Sequence, residues 1–156
     1  MSGTGDPLSP EVIGRSTLEP DASGVLQAIS RIGYQLQEAL ADLIDNSIDA
    51  GAKNVLIRFF RDGDRLTDLA VVDDGSGMSE ATLEEAMRFG SRVRKRGADL
   101  GKYGMGMKSA SLNHADTLIV ISRQRRKVSG RRWTTESIQD GWKLEKLDPD
   151  LSLIHI

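Results

Sequence analysis

The stretch 37–52 constrains the fold of this chain most, because it joins a strong helix signal to a regular stripe of polar side chains. It is rich in alanine, leucine, isoleucine and glutamate, which favour an α-helix. Polar residues recur there at steps of three and four, which aligns them on one helix face: Glu38, Asp42, Asp45, Asn46 and Asp49. Apolar residues that can face a core occupy the neighbouring faces, namely Ile32, Leu36, Leu40, Leu43 and Ile48.

Taken alone, such a stripe is equally consistent with a solvated helix face. Two glycine-rich stretches downstream, at 73–78 and 101–109, point to a binding site instead. Carboxylates and an amide on one helix, together with two loops whose glycines expose the backbone, are what a magnesium–nucleotide site requires.

The composition fits a soluble globular chain that forms one domain or part of one. Its 156 residues are 38% hydrophobic and 28% charged. The absence of cysteine excludes disulfides and thiolate metal sites and is typical of a reducing compartment. No apolar run has the length of a membrane span, and residues 1–10 lack the features of a secretory signal. We therefore expect a cytoplasmic protein without a membrane partner.

The formal net charge of −2 hides an uneven distribution of charge. Acidic residues concentrate on the polar helix and around Asp73, whereas basic residues concentrate at 92–96 and 123–132. A basic cluster leaves contact with DNA open, although a solvated hairpin tip also explains the second cluster.

The pattern along the chain predicts an α+β fold. We expect, in order, a flexible arm (1–21), a long helix (22–50) bent near Gly33, a hairpin of two strands (55–61 and 66–72), a helix (80–89), a loop or lid (91–102), a helix (105–113), a strand (117–123), a basic turn (125–132), two strands (133–137 and 142–147) and an apolar tail (151–156). This order predicts a two-layer sandwich with helices on one face of a mixed, mostly antiparallel sheet. A doubly wound fold is excluded, because β-α-β alternation is missing.

Asn46 and Asp42 are the candidates for metal and water chemistry on the polar helix. The amide oxygen of Asn46 is a hard neutral ligand that suits magnesium when phosphate oxygens and waters complete the shell. Asp42 lies one turn earlier on the same stripe, about 6 Å along the axis. There it can orient or deprotonate a water. Local capping for Asn46 and a plain surface acid for Asp42 are the alternatives.

The sequence D-D-G-S-G-M at 73–78 follows a predicted strand and has the composition of a base-binding loop. A buried carboxylate of Asp73 at the strand end can accept a hydrogen bond from an exocyclic amine, which selects adenine over guanine. Gly75 and Gly77 let the backbone approach a flat ring, and Met78 can pack on that ring. An ordinary β-turn has the same composition, so this stretch alone is a weak signal.

The sequence G-K-Y-G-M-G-M-K-S at 101–109 precedes a predicted helix. The amides of Gly101, Gly104 and Gly106 can cradle an anion together with the helix N-terminus, and Lys102 and Lys108 add positive charge. A dinucleotide-binding loop is the alternative. That loop follows the first strand of a β-α-β unit, whereas this motif follows a basic loop, so we reject it.

In this order and at this spacing, the three stretches resemble the GHKL ATPases, the superfamily of gyrase, heat-shock chaperones, histidine kinases and MutL that shares the Bergerat fold. D-L-I-D-N-S-I-D-A at 42–50 is similar to its first box, 73–78 to its second and 101–109 to its third. The resemblance covers about residues 22–122. It looks closest to the MORC-like and bacterial MORC-related branch, and the run N-S-I-D-A-G-A is also similar to MutL.

The resemblance implies a role for each matching position. Asn46 would hold magnesium, Asp73 would bind the adenine amine directly and through water, and Asp42 would occupy the general-base position. The other cofactor-binding positions are Asp49, Gly75, Gly77 and Met78 at the adenine end, and Gly101, Lys102, Tyr103, Gly104, Met105, Gly106, Lys108 and Ser109 around the phosphates. The resemblance therefore implies ATP and Mg²⁺ as cofactors under a mobile lid, slow hydrolysis, and ATP-dependent closure of a homodimer.

The chain departs from the family pattern at two points. The family usually has glutamate where this chain has Asp42, and aspartate is shorter by about 1.5 Å. A water misplaced by that distance costs about 100-fold in rate, so an ATP-binding switch without useful hydrolysis is the alternative. The family's later Gly-Thr strand and transducer domain are missing. We therefore expect residues 22–150 to be a C-terminally incomplete domain and residues 151–156 to lie outside the native fold.

A histidine kinase catalytic domain is a further alternative. It is disfavoured because no histidine-bearing dimerisation helices precede the domain, and His114 and His155 lie elsewhere. The run N-S-I-D-A, with Asp49, also resembles the clamp ATPases more than the kinases.

Overall fold

The computed structural model describes residues 16–18, 20–31, 33, 35–89 and 106–148. Their elements are α1 (Ala22–Arg31), α2 (Leu36–Asp49), β1 (Val55–Asp62), β2 (Arg65–Asp73), α3 (Glu80–Met87), α4 (Gly106–Leu112), β3 (Thr117–Gln124), β4 (Lys127–Thr134), α5 (Thr135–Gln139) and β5 (Glu145–Leu147). Most of the predicted arm, the lid, the glycine stretch up to Met105 and the tail lie outside the described residues.

The predicted long helix is two helices, α1 and α2, separated near Gly33. Gly33 has φ +68°, a left-handed backbone angle that glycine adopts readily and that ends a helical run. At the start of α2, the backbone N–H of Gln35 donates to Oε2 of Glu38 at 3.0 Å, as in a capping box. Gly51, with φ +75°, follows the end of α2 at Asp49. The bend and the helix end confirm the prediction.

β1 and β2 form the predicted antiparallel hairpin. Val55 pairs with Asp73 at its open end, and Asp62 pairs with Arg65 at the turn. Gly63 in the turn has φ +57°, which explains why an Asp-Gly sequence stands there. The hairpin therefore places the end of β2 beside the start of β1.

The segment predicted as a basic turn, 125–132, is mostly the strand β4, so that prediction is wrong. The turn is confined to two residues, the first of which, Arg125, has φ +56°. Arg131 explains the difference, because it is buried and its Nη2 pairs with Glu80 and Glu84 of α3 at 3.0 and 3.1 Å. The local sequence pattern predicts a solvated charge at Arg131. Its burial is possible because the acidic partners come from another element.

Residues 133–137, predicted as a strand, contain the start of helix α5. Oγ1 of Thr134 accepts from the N–H of Ser137 at 2.9 Å, and Oγ of Ser137 accepts from the N–H of Thr134 at 3.0 Å. This reciprocal cap begins a helix. β5 is shorter than the predicted strand 142–147, because Trp142 has φ +58°, which is not a strand conformation.

The described strands form two antiparallel ladders, β1–β2 and β3–β4–β5. No parallel pair occurs among these strands, so the mixed character predicted for the sheet is not seen in this part of the chain. The helices predicted at 80–89 and 105–113 are present as α3 and α4 with shorter bounds. Helices packed with antiparallel strands confirm the α+β class. None of the described helices is long and apolar enough to cross a membrane.

Helices cover one face of the β3–β4–β5 sheet. Leu118 on β3 is 8% exposed, whereas the adjacent Ile119 is 50% exposed on the opposite face. The core cluster, contributed by α3, β3, β4 and α5, consists of Leu83, Met87, Leu118, Trp133 and Ile138. Ile48 of α2, predicted to face a core, is exposed, because the buried face of α2 is the one with Ala39 and Ser47. α2 packs instead on α4 and β2.

Candidate functional site

Asp73, at the end of β2, is held by two donors from different parts of the chain. Oγ of Ser47 donates to its Oδ2 at 3.2 Å, and the backbone N–H of Gly75 donates to its Oδ1 at 2.9 Å. Each carboxylate oxygen has two acceptor positions, so capacity remains for a donor on a ligand. The residue is exposed rather than buried as predicted, because the chain leaves the sheet at this point.

Gly75 lies against the end of α2 at a distance that a side chain does not tolerate. A Cβ atom at Gly75 would lie 2.8 Å from Cβ of Ala50 and 2.9 Å from Oδ1 of Asp73, closer than non-bonded atoms approach. The N–H of Ser76 donates to the carbonyl of Ala50 at 2.9 Å. The loop 73–78 is therefore fixed to the C-terminal end of α2.

Asp74 fixes the same loop to the start of β1. Its carboxylate accepts from the backbone N–H groups of Lys53 and Asn54 at 2.7 and 2.9 Å, and from Nδ2 of Asn54 at 2.8 Å. These bonds, led by the one from the Asn54 backbone, hold the pKa of Asp74 below its ordinary value. Asp74 therefore has a structural role, and Asp73 is the acidic residue of the loop that remains for a ligand.

Gly77 and Met78 attach the other end of the loop to β3. Gly77 has φ +65°, and a Cβ atom there would lie 2.0 Å from the carbonyl oxygen of Arg123, so only glycine fits. The N–H of Met78 donates to Oγ of Ser122 at 2.7 Å. The Met78 side chain packs against the core cluster but is only half-buried. Its contact with a base stays a prediction.

The polar stripe of α2 carries Asp42, Asn46 and Asp49. Nδ2 of Asn46, which is exposed, donates to the backbone carbonyl of Asp42 at 2.8 Å. This bond uses the amide nitrogen and leaves the amide oxygen as the end that can coordinate a cation. Asp42 is half-buried and Asp49 is exposed. Because Ser47 follows Asn46 directly and bonds the carboxylate at the end of β2, the stripe ends beside the glycine loop.

Lys108 on α4 bonds to the C-terminal end of α3. Its Nζ donates to the carbonyl of Ala86 on α3 at 2.6 Å and lies 5.9 Å from the centre of the Phe89 ring. Burial lowers the pKa of Lys108 to about 8, and the nearby carboxylate of Glu85 partly opposes this shift. The bond to Ala86 places the Lys108 side chain between α3 and α4, and its predicted phosphate contact stays a prediction. Ser109 is buried as well.

An open groove of about 920 Å³ meets the site only at Met78. α3 and the β3–β4 turn, with Arg125 and Arg126, form its walls. Asp73 and Asn46 do not line this groove. The predicted contacts at 101–105 lie outside the described residues, and α4 begins immediately after them.

A family model described as "Histidine kinase-, DNA gyrase B-, and HSP90-like ATPase" matches residues 34–155. The match includes the polar stripe of α2, the loop 73–78 and the glycine stretch 101–109. The chain belongs to this family. Membership in this ATPase family confirms the predicted class, an ATP-binding ATPase module.

Three relatives define the branch of the ATPase family. The chain is 37% identical over 92 residues to human MORC family CW-type zinc finger protein 1, covering 55% of this chain and 9% of that protein. It is 33% identical over 86 residues to Caenorhabditis elegans ATPase morc-1, covering 55% of this chain and 10% of that protein. It is 40% identical over 60 residues to DNA mismatch repair protein MutL of Dictyoglomus turgidum, covering 38% of this chain and 10% of that protein.

These matches confirm the resemblance to the MORC-like branch and to MutL. The chain spans about a tenth of the length of these relatives.

Sequence reasoning missed two residues of this ATPase module, Ser47 and Asp74. Ser47 carried a usable signal, because a serine on the buried face of a helix needs a hydrogen-bond partner, which here is Asp73. Asp74 carried no comparable local signal. Its donors belong to Lys53 and Asn54, which are 21 and 20 residues away along the chain.

Proposed function

We propose that this chain binds Mg-ATP, with the adenine at the loop 73–78 and the phosphates toward the glycine stretch 101–109, and that it hydrolyses ATP slowly. One observation carries the proposal: the carboxylate of Asp73 is fixed at a strand end by Ser47 and Gly75. Membership in the ATPase family supports the nucleotide, and the hydrogen bonds around Asp73 support the choice of residues.

The surroundings of Asp73 fit an adenine. Its carboxylate accepts two hydrogen bonds from the protein and keeps lone pairs for the 6-amino group of adenine, a position where guanine has an acceptor oxygen. Gly75 keeps the wall beside this carboxylate free of a side chain, because a Cβ atom there would meet Ala50. Both features favour ATP over GTP.

Asn46 is the residue proposed to hold magnesium. Its amide oxygen is a hard neutral donor, and its exposed position on α2 leaves space for phosphate oxygens and waters. Bound magnesium supplies charge neutralisation at the phosphates. Within the described ranges, no group of three or more acidic or histidine side chains forms a competing metal site.

Asp42 is proposed to orient the attacking water and accept its proton. It precedes Asn46 by one helical turn, and Nδ2 of Asn46 donates to the backbone carbonyl of Asp42. Aspartate has a shorter reach than glutamate, which favours slow turnover. The short reach of Asp42 also supports a second candidate function, an ATP-binding switch in which nucleotide binding alone changes the conformation.

For the intact protein, we propose that residues 91–102 form a lid over the phosphates and that ATP promotes closure of a homodimer. The basic, glycine-containing composition of 91–102 supports the lid, although this segment lies outside the described residues. Family membership and the MutL relative support the dimer. Contact of the basic segment 123–132 with DNA and a cytoplasmic location stay predictions.

The substitution Asp73→Asn tests the adenine site. An amide offers one acceptor oxygen instead of two, so ATP affinity should fall by about 1–3 kcal/mol, measured by calorimetric titration with ATP and with GTP. The matched control is Asp68→Asn, the same change at an exposed position on the same strand. ATP affinity that is equal in the wild type and in Asp73→Asn would remove Asp73 from the site.

The substitution Asn46→Ala tests the magnesium site. Removing the amide oxygen should abolish the part of ATP affinity that depends on magnesium and leave the magnesium-free affinity intact. Titrations with Mg²⁺ and with EDTA separate these two quantities. An equal magnesium dependence in Asn46→Ala and the wild type would contradict the assignment.

A further inference from the structure

The buried lysine of α4 joins two helices that border the proposed nucleotide site. Lys108 is 2% exposed, and its Nζ donates to the carbonyl of Ala86 at 2.6 Å. This carbonyl lies in the last turn of α3, where backbone oxygens have no partner within the helix. An ammonium group there also interacts favourably with the C-terminal end of the helix dipole.

A second side chain holds the same end of α3 but comes from a different layer. Nε1 of Trp133, on β4, donates to the carbonyl of Met87 at 3.0 Å. α3 is thus fixed to the sheet by Trp133 and to α4 by Lys108. In both bonds a side-chain N–H donates to a backbone carbonyl in the last turn of α3, so the two bonds can be compared directly.

The link through Lys108 reaches both parts of the proposed site. α3 begins at Glu80, directly after Met78 and its N-cap Ser79, and therefore continues the glycine loop. α4 packs against α2, the helix that carries Asn46 and Ser47. The bond from Lys108 to α3 therefore connects the glycine loop, through α3 and α4, to α2. The bond from Trp133 connects α3 to the sheet and makes no such connection.

We propose that Lys108 is a positioning residue, which fixes α4 against α3 so that the adenine loop and the polar stripe of α2 keep their relative position, and not a phosphate ligand. The proposal rests on the proposed ATP binding. The ammonium group of Lys108 already has a carbonyl partner and an aromatic ring beside it. Because Lys108 is 2% exposed, contact with a phosphate would require its side chain to leave its position between α3 and α4.

Binding of adenosine, ADP and ATP to Lys108→Met distinguishes the two roles. Methionine keeps most of the apolar stem and removes the donor. If Lys108 positions the site, affinity for all three ligands should fall by a similar factor, about tenfold. If it contacts phosphates, adenosine affinity should stay unchanged and the loss should grow from ADP to ATP, which would overturn the proposal.

Trp133→Phe is the matched control, because it removes the other side-chain donor at the end of α3 and keeps an aromatic ring. All titrations are run well below the melting temperature of each variant. We expect Trp133→Phe to change the three affinities less than about twofold. An equal loss in Trp133→Phe and Lys108→Met would reduce Lys108 to a general stabilising residue, and an unchanged Lys108→Met would remove it from the site altogether.

Two further measurements keep the test decisive. If Lys108→Met does not fold, Lys108→Gln, which retains a neutral donor, is put through the same series, and a loss confined to ADP and ATP again overturns the proposal. If the wild type binds none of the ligands, the proposed function fails.

The link that Lys108 forms between α4 and α3 is then tested by hydrogen exchange. Lys108→Met should accelerate exchange in both α3 and α4, and Trp133→Phe only in α3. Unchanged exchange in α4 of Lys108→Met would overturn the link.

Discussion

The hydroxyl of Ser47 donates a 3.2 Å hydrogen bond to Oδ2 of Asp73, which joins the end of α2 to the end of β2 across 26 residues of chain. The carbonyl of Leu43 lies at the same distance from this hydroxyl. A carboxylate is the stronger acceptor of the two. The relationship matters because one polar contact connects the proposed magnesium helix to the proposed adenine residue.

Ser47→Ala should therefore weaken ATP binding by about 1 kcal/mol, because it removes one of the two bonds that hold Asp73. The measurement is a double-mutant cycle with Asp73→Asn, read by calorimetric titration. We expect a coupling of at least about 0.5 kcal/mol between the two positions. Additive losses would show that Ser47 does not act through Asp73.

Gly77→Ala should unfold the chain more readily than Gly63→Ala. Both glycines have a positive φ, of +65° and +57°, so each substitution carries the cost of a left-handed alanine, about 1–2 kcal/mol. Only at Gly77 does the new Cβ also meet a backbone atom, the carbonyl oxygen of Arg123, at 2.0 Å, whereas Gly63 has nothing within 4 Å. We expect a loss of about 3 kcal/mol or more at Gly77.

Urea unfolding measures both variants in parallel, and Gly63→Ala is the control for backbone strain alone. Equal losses in the two variants would contradict the close contact between Gly77 and β3.

The sequence predicts the bends, turns and helix ends that depend on a residue at that position. The bend at Gly33 and the hairpin turn at Gly63 follow from glycine at positive φ, and the end of α2 follows from Gly51. The polar stripe of α2 and the loop at Asp73 follow likewise from spacing and chemistry, and the match to the ATPase family spans both stretches.

Non-local partners explain what the sequence could not predict. Arg131 belongs to a run of basic residues, and no neighbouring residue in the sequence indicates that it pairs with Glu80 and Glu84 of α3. Lys108 stands in a glycine-rich motif that suggests phosphates, yet its partner is the carbonyl of Ala86, 22 residues away along the chain. Both residues pair with groups brought near only by tertiary packing.

The free energy of unfolding should rise with pH above 8 because of Lys108. Its pKa is about 8 in the folded chain, against an ordinary value of 10.5. The unfolded chain therefore binds more protons than the folded chain between these two values, and stability increases through that window. The burial penalty is fully present below pH 8, and Glu85 is the acidic group that partly offsets it.

Between pH 7.5 and 9.5 we expect a gain of about 2 kcal/mol for the wild type relative to Lys108→Met, measured by urea unfolding. Lys108→Met is the control, since it keeps all other titrating groups. Parallel pH profiles for the two proteins would mean that the folded chain does not lower the pKa of Lys108.

Asp42→Asn should retain ATP binding and abolish slow turnover if Asp42 is the general base, because an amide cannot accept the proton of the attacking water. If the short side chain has instead made the site a switch, the wild type should release almost no phosphate. Asp42→Glu should then raise the rate by restoring reach to the water. Steady-state phosphate release, with ATP affinity measured separately, distinguishes the two functions.

Asp45→Asn is the matched control, since it makes the same change on the same helix at a position to which no role in ATP binding or hydrolysis is assigned. Asn46→Ala should lose magnesium-dependent binding under either function, because both require the same metal ligand. Should Asp42→Asn hydrolyse ATP as fast as the wild type, Asp42 is not the base. Glu38 is then the next residue to test, because it lies one further turn along the same polar stripe and has the longer side chain.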